Sequence, residues 1–264
     1  MSNNRASEIK KEDKKAFKGF IIITMVSAFI GFLFGLGSSR LKELFGENIP
    51  KLFMNILSAI TPFASLVLSL IVIAIYIYVY NKSIKEYEEC IEEEENDYAI
   101  DKIERNLSIV ISITTINNII GFFFLGIGGM ILPFNDDNGN LSIIKGICSF
   151  LGFILCTVST ILIQKNIVNL EKRINPLLKG SIYDVKFAEK WIDSCDEAIK
   201  LGIFKSSYKA YKAVSLTCVI LWIFCIIGYD IWGFGIMPMV IVIVIWLVQT
   251  IAYSNEAIKS NIRK

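Results

Sequence analysis

The chain has 264 residues, 54% of them hydrophobic, with 27 cationic and 25 anionic side chains, a formal net charge of +2 and no histidine. So small a net charge supplies no long-range field to gather nucleic acid. The absence of histidine excludes Ser-His-Asp and Cys-His catalysis and H-E-x-x-H metal hydrolysis within this chain. The apolar residues are gathered into six uncharged runs of membrane-spanning or nearly spanning length, since about 20 helical residues cross a hydrocarbon core of about 30 Å.

In chain order, a basic leader occupies residues 1–18, and the first apolar run lies between Lys18 and Arg40. It exceeds the 7–15 residues typical of a signal-peptide core, although Gly37-Ser38-Ser39 offers small residues, so it reads as a retained helix. The second run lies between Lys51 and Lys82 and contains Pro62, closing a first hairpin over 19–80. An acidic loop, 81–106, follows. The third and fourth runs, Arg105 to Asp136 and Lys145 to Lys165, form a second hairpin over 107–164. A longer amphipathic loop spans 165–212. The fifth run, Ala213 to Tyr229, is the shortest and is paired with the sixth through an Asp230 to Gly235 turn, giving a third hairpin over 213–255 before a tail of 256–264. The fold expected is all-α: a polytopic integral membrane protein of six transmembrane helices arranged as three hairpins, with two cytoplasmic helical loops.

Orientation follows from the distribution of Lys and Arg. The leader, the two long loops and the tail hold 23 of the 27 cations, and the alternate side holds only Arg40, Lys42, Lys51 and Lys145. Both termini and both long loops are therefore expected in the cytoplasm, at the plasma membrane.

Glycines recur near the outer ends of the odd-numbered runs: Gly31, Gly35 and Gly37 in the first, Gly121, Gly126, Gly128 and Gly129 in the third, and Gly228, Gly233 and Gly235 in the fifth. Such spacing lets helix backbones approach closely, and Gly31, Gly35, Gly121 and Gly126 are read as helix-packing positions. Asn117 and Asn118, after Thr114 and Thr115, sit midway along the third run. Polar groups at that depth must find partners. They either bond across helices or line a wet pathway, and an interhelical polar pair is the reading adopted.

Six cysteines are present, Cys90, Cys148, Cys156, Cys195, Cys218 and Cys225, with no C-x-x-C pair. Neither a disulfide framework nor a zinc site is expected, and no cofactor or metal is assigned. There is no G-x-x-x-x-G-K-[ST] phosphate loop. Asn135 to Asn140 resembles a calcium loop superficially, but it lacks the bidentate Glu and reads as a turn.

In the larger loop, Asn175-Pro176 ends the helix that continues from the fourth run, and Asp184 is a plausible N-cap for a new one. Ala188, Trp191, Ile192, Cys195 and Ile199 then share one face, Gly202 interrupts it, and Phe204, Tyr208 and Tyr211 continue at helical spacing. Ser194 to Glu197 also fits a capping box, which allows a break at Asp193. Trp191, Ile192, Cys195, Phe204, Tyr208 and Tyr211 are the candidate contacts with a partner or the membrane surface. The smaller loop carries a run from Glu86 to Asp97, and charge contact with the ten cations of the larger loop is expected.

Phe187-Ala188-Glu189-Lys190-Trp191-Ile192-Asp193-Ser194-Cys195-Asp196-Glu197-Ala198, followed by Tyr208-Lys209-Ala210-Tyr211-Lys212, resembles a signature of a family of Firmicutes membrane proteins, domain of unknown function 3169. The resemblance implies a bacterial plasma-membrane protein with no assigned activity and no established catalytic residues. The abundance of Ile, Lys and Asn suits an AT-rich genome of that kind.

The functional expectation is a non-enzymatic accessory or interaction component of a transport, sensing or self-immunity system. Its partners would be the lipid bilayer and a protein partner or second copy of the chain, with no nucleic acid and no known small-molecule ligand. A small-solute transporter or channel is the alternative, and an intramembrane enzyme built on Asp or Cys comes last.

Overall fold

The computed structural model describes residues 17, 21–33, 36–37, 40, 42–46, 48–92, 97–131 and 139–262, with backbone only at 91–92, 97, 131, 139–142 and 257–262. Gly35, nearly all of the leader, Ser38 and Ser39, the acidic residues 93–95 and the turn residues 135–138 lie outside the described residues. All regular structure among the described residues is helical. The elements are α1 (Ile21–Leu33), α2 (Asn48–Glu92), α3 (Asp97–Ile131), α4 (Gly139–Ile174), α5 (Phe187–Ser194), α6 (Glu197–Trp232) and α7 (Met237–Ile262).

Five of these helices, α2, α3, α4, α6 and α7, are long and apolar enough to cross a membrane, and α1 is a shorter apolar helix. The chain is a polytopic, helical, membrane-inserted protein. The distribution of side chains supports this. Phe122, Leu151, Ile119 and Leu247 are exposed, while Thr61, Ser65, Ser69, Thr114, Ser149 and Thr160 are buried. A water-soluble bundle would bury the large apolar residues first. In lipid they face the solvent, and small or polar residues mediate helix contact.

The chain divides into two compact units, residues 53–208 and residues 1–52 with 209–264. In the first, α2 and α4 run parallel and α3 runs antiparallel to both, as the pairs Ser69–Asn117, Thr114–Thr160 and Tyr76–Asn166 require. Its apolar core is Val72, Ile103, Leu107, Val110, Ile163, Ile167 and Leu170, at the end where α4 finishes. α4 ends at Ile174, ahead of Pro176, and Asn175 Oδ1 accepts from the Leu177 N–H.

In the second unit α6 and α7 pack through Cys218, Cys225 and Val242 with Met239 and Trp246. The turn between them begins later than the sequence suggests. α6 carries Asp230 within it and ends at Trp232, and the reversal is made by Gly233 and Gly235 at φ of 67° and 71°, values that glycine adopts without strain. Phe234 folds back, its N–H donating to the Gly228 carbonyl at 3.3 Å. Its ring stacks on Trp232 at 5.4 Å, and the Trp232 indole N–H donates to the Phe45 carbonyl at 3.2 Å.

A Cβ at Gly228 would overlap the Phe234 ring. Gly228→Ala should therefore destabilise this hairpin by about 1–3 kcal/mol, the usual range for overpacking. The check is the thermal midpoint of the purified protein in detergent, with Gly202→Ala as the control, since that glycine faces open space and alanine is the better helix former.

Candidate functional site

Three helices of the first unit contribute small and polar residues to one seam. Thr61, Ser65 and Ser69 recur every fourth residue on α2, so they line one face over about 12 Å. α3 presents Thr114, Asn117, Gly121 and Gly128, and α4 presents Ser149, Gly152, Cys156 and Thr160. Asn117 sits at the centre, 5% exposed. Its Nδ2 lies 3.4 Å from Ser69 Oγ on α2 and 3.2 Å from Cys156 Sγ on α4, and the Cys156 thiol is 3.5 Å from the Asn117 carbonyl. One side chain thus ties three helices. Asn118, beside it in sequence, is half-buried, and its Oδ1 has no hydrogen-bond partner among the described residues. One turn away, Thr160 donates to the Thr114 carbonyl at 3.4 Å.

The close approach depends on glycines. A Cβ at Gly152 would stand 2.5 Å from Ser65 Oγ and 2.9 Å from the Leu66 backbone nitrogen. At Gly128 it would stand 2.7 Å from Ser149 Oγ, and at Gly121 3.0 Å from Cys156 Sγ. Gly126 and Gly31 face open space. Gly121 is therefore the described packing glycine that the sequence reading named. Gly128 belongs to the glycine cluster seen in the sequence but not to its chosen packing positions, Gly152 is absent from both, and the four-residue rhythm of small residues Ser149, Gly152, Cys156 and Thr160 is the signal that finds it.

A second cluster caps the end where α4 finishes. Lys172 donates to the Gly180 carbonyl and Lys190 pairs with Asp184, while the Lys179 N–H donates to Ser194 Oγ at 3.0 Å. Gly180, at φ 119°, lies against the Phe187 ring, which packs on Trp191 at 5.5 Å. Lys165 Nζ stands 5.7 Å from the centre of the Tyr183 ring, within reach of a cation–π contact. Asp184 does not cap α5 directly. Its Oδ1 accepts from the Lys186 N–H at 2.9 Å, one turn earlier, and these bonds, with Lys190 first, hold its carboxyl below the ordinary range.

The two helices of the larger loop break at Cys195, which is extended at ψ 156°, and Asp196 caps α6 by accepting from the Ile199 N–H at 2.7 Å. Gly202 does not interrupt α6. Trp191 and Ile192 are half-buried and Cys195 is 6% exposed, so these three face into the cap. Burial raises the Cys195 thiol above its ordinary pKa, with Asp196 adding to the effect, which makes it a poor nucleophile. Phe204 and Tyr208 are exposed on α6, and Tyr211 stacks on Tyr253 at 4.5 Å.

The smaller loop keeps its described ion pairs to itself: Glu86 meets Lys102 at 3.1 Å and Lys82 at 4.0 Å. A neutral bond links it to the larger loop, the Tyr87 hydroxyl donating to the Arg173 carbonyl at 2.9 Å.

No curated protein and no solved structure matches the chain. The family described as Protein of unknown function (DUF3169) matches residues 10–257, nearly the whole length. The seam and the cap both lie inside the matched region, and the chain belongs to the DUF3169 family.

Proposed function

We propose that the protein is a six-span bacterial plasma-membrane protein of three helical hairpins, with both termini in the cytoplasm, that acts as a non-enzymatic accessory or interaction component of a transport, sensing or self-immunity system. The observation that carries this reading is the start of α6. Leu201 and Phe204 are 69% and 58% exposed, and with Tyr208 they fall at three- and four-residue spacing on one face. They precede the uncharged run that begins at Ala213, and α6 is started firmly by Asp196. Rigid exposed aromatics at a capped helix start are the kind of anchor that protein interfaces use. The 23 to 4 division of cations supports the orientation.

The alternative, a small-solute transporter, is supported by a different observation: hydroxyl groups in the seam that lack partners among the described residues. Uptake into proteoliposomes containing only the purified chain would favour it.

Brief cross-linking in the native cell, mild-detergent purification and mass spectrometry test the first reading. A stoichiometric membrane partner is expected. Leu201→Ser combined with Phe204→Ser should lower its recovery at least tenfold while leaving the thermal midpoint within about 2 °C, since both residues are exposed. Recovery of the chain alone would overturn the accessory role.

A further inference from the structure

The hydroxyls of the first unit divide into two groups. Ser69, Ser112, Thr114, Thr115 and Ser159 each donate to a carbonyl three or four residues earlier, at 2.6–2.9 Å. This is the ordinary way a helix satisfies a hydroxyl where water is absent. Thr61, Ser65, Ser83, Ser149 and Thr157 do not: their hydroxyl oxygens are buried with no hydrogen-bond partner among the described residues, and Thr61, Ser65 and Ser149 are 0%, 2% and 3% exposed.

Three of the five lie together: the Thr61 methyl and the Ser149 hydroxyl meet at the same glycine, Gly128, and Ser65 lies one turn from Thr61, against Gly152. A fourth oxygen belongs to the same level. Pro62 sits inside α2 and has no N–H to give the Ser58 carbonyl. Left dry in a bilayer, each hydroxyl would lack the bond that hydrocarbon cannot supply.

We propose that Thr61, Ser65 and Ser149, with the Ser58 carbonyl, bind water within the membrane-spanning part of the bundle, forming a blind hydrated site that ends at Ser69 and Asn117. The ligand is neutral because the runs that line the site carry no charged residue, so an ion there would be uncompensated. It is small because Gly128 and Gly152 hold the helices together at this level. A buried water makes about three hydrogen bonds, which matches three hydroxyls and a carbonyl. The site is blind because beyond it Ser69, Asn117, Thr114 and Thr160 are bonded to one another or to backbone, and then Val72, Val110 and Ile163 close the core. The inference is independent of the docking role of α6.

The test is water-edited solid-state NMR on the full chain in phospholipid bilayers, with labelled Ser and Thr. Side-chain signals of Thr61, Ser65 and Ser149 should build up from water several-fold faster than those of Ser159 and Thr114. Equal, slow build-up for all five would overturn the proposal, and fast build-up for all five would overturn the blind end. Thr61→Val and Ser65→Ala give a second reading on the thermal midpoint. Loss of a water-bonded hydroxyl should lower it by about 2–4 °C. Removal of a dry, unpartnered hydroxyl would raise it, and that result would also overturn the proposal. If a variant fails to fold, the spectrum of the parent chain decides alone.

Discussion

The first unit depends on the distance of closest approach between its helices. In hydrocarbon there is no hydrophobic drive for one apolar helix to prefer another over lipid, so association rests on packing and on hydrogen bonds between helices. Both need the backbones close. Gly152 brings α4 against the α2 backbone at Leu66, and Gly128 and Gly121 bring α3 against Ser149 and Cys156. Only at that separation can the short side chain of Asn117 reach Ser69 and Cys156 together. Wider spacing would leave the amide facing apolar side chains, at a cost of roughly 1–3 kcal/mol for the lost partners.

That dependence explains what could be read from the sequence. The spanning helices are legible because the length of an uncharged run is set by membrane thickness, which any side chain can report. The face by which a helix packs is not legible in the same way. In α3 the residues around Gly126 and Gly128 are equally apolar, and two positions along a helix turn a side chain by about 200°. Gly128 meets Ser149 and Gly126 meets nothing within 4 Å. Apolar periodicity cannot distinguish them when the outward face is apolar too. Small-residue periodicity can, and Ser149, Gly152, Cys156 and Thr160 repeat it on α4.

The cap shows the opposite case, in which local chemistry was legible but its exact use was not. The sequence offers Asp184 as one helix start, a capping box from Ser194 to Glu197 as another, and one breaker, Gly202. All three fit their roles by propensity. The structure uses Asp196 as a true cap, turns Asp184 into an ion-paired bend before α5, and passes α6 straight through Gly202. A glycine inside a helix costs only about 1 kcal/mol, which the packing and the uncharged run that follows offset. Charge is spent locally where it is described. Ten cations in one loop and a run of acids in the other suggest mutual attraction. Yet Glu86 is served by Lys82 and Lys102 within a few turns of its own chain, where holding two ends together costs less entropy than across loops.

The seam and the cap also differ in what they leave unsatisfied. In the cap, backbone and side chain close on each other: Ser194 both donates to the Trp191 carbonyl and accepts from Lys179. Its buried thiol is held as a thiol by desolvation, and its surface chemistry is left to the exposed face of α6. In the seam, Asn117 marks a boundary. On the side toward Thr160, Thr114 and Thr160 bond to backbone carbonyls. On the side toward Thr61 they are held in place by glycine contacts and given no protein partner. Alanine would fill the same space there without a polar atom to satisfy. Hydroxyls beside Pro62 therefore point to something bound at that level, and the bonded half of the seam sets how far it can travel.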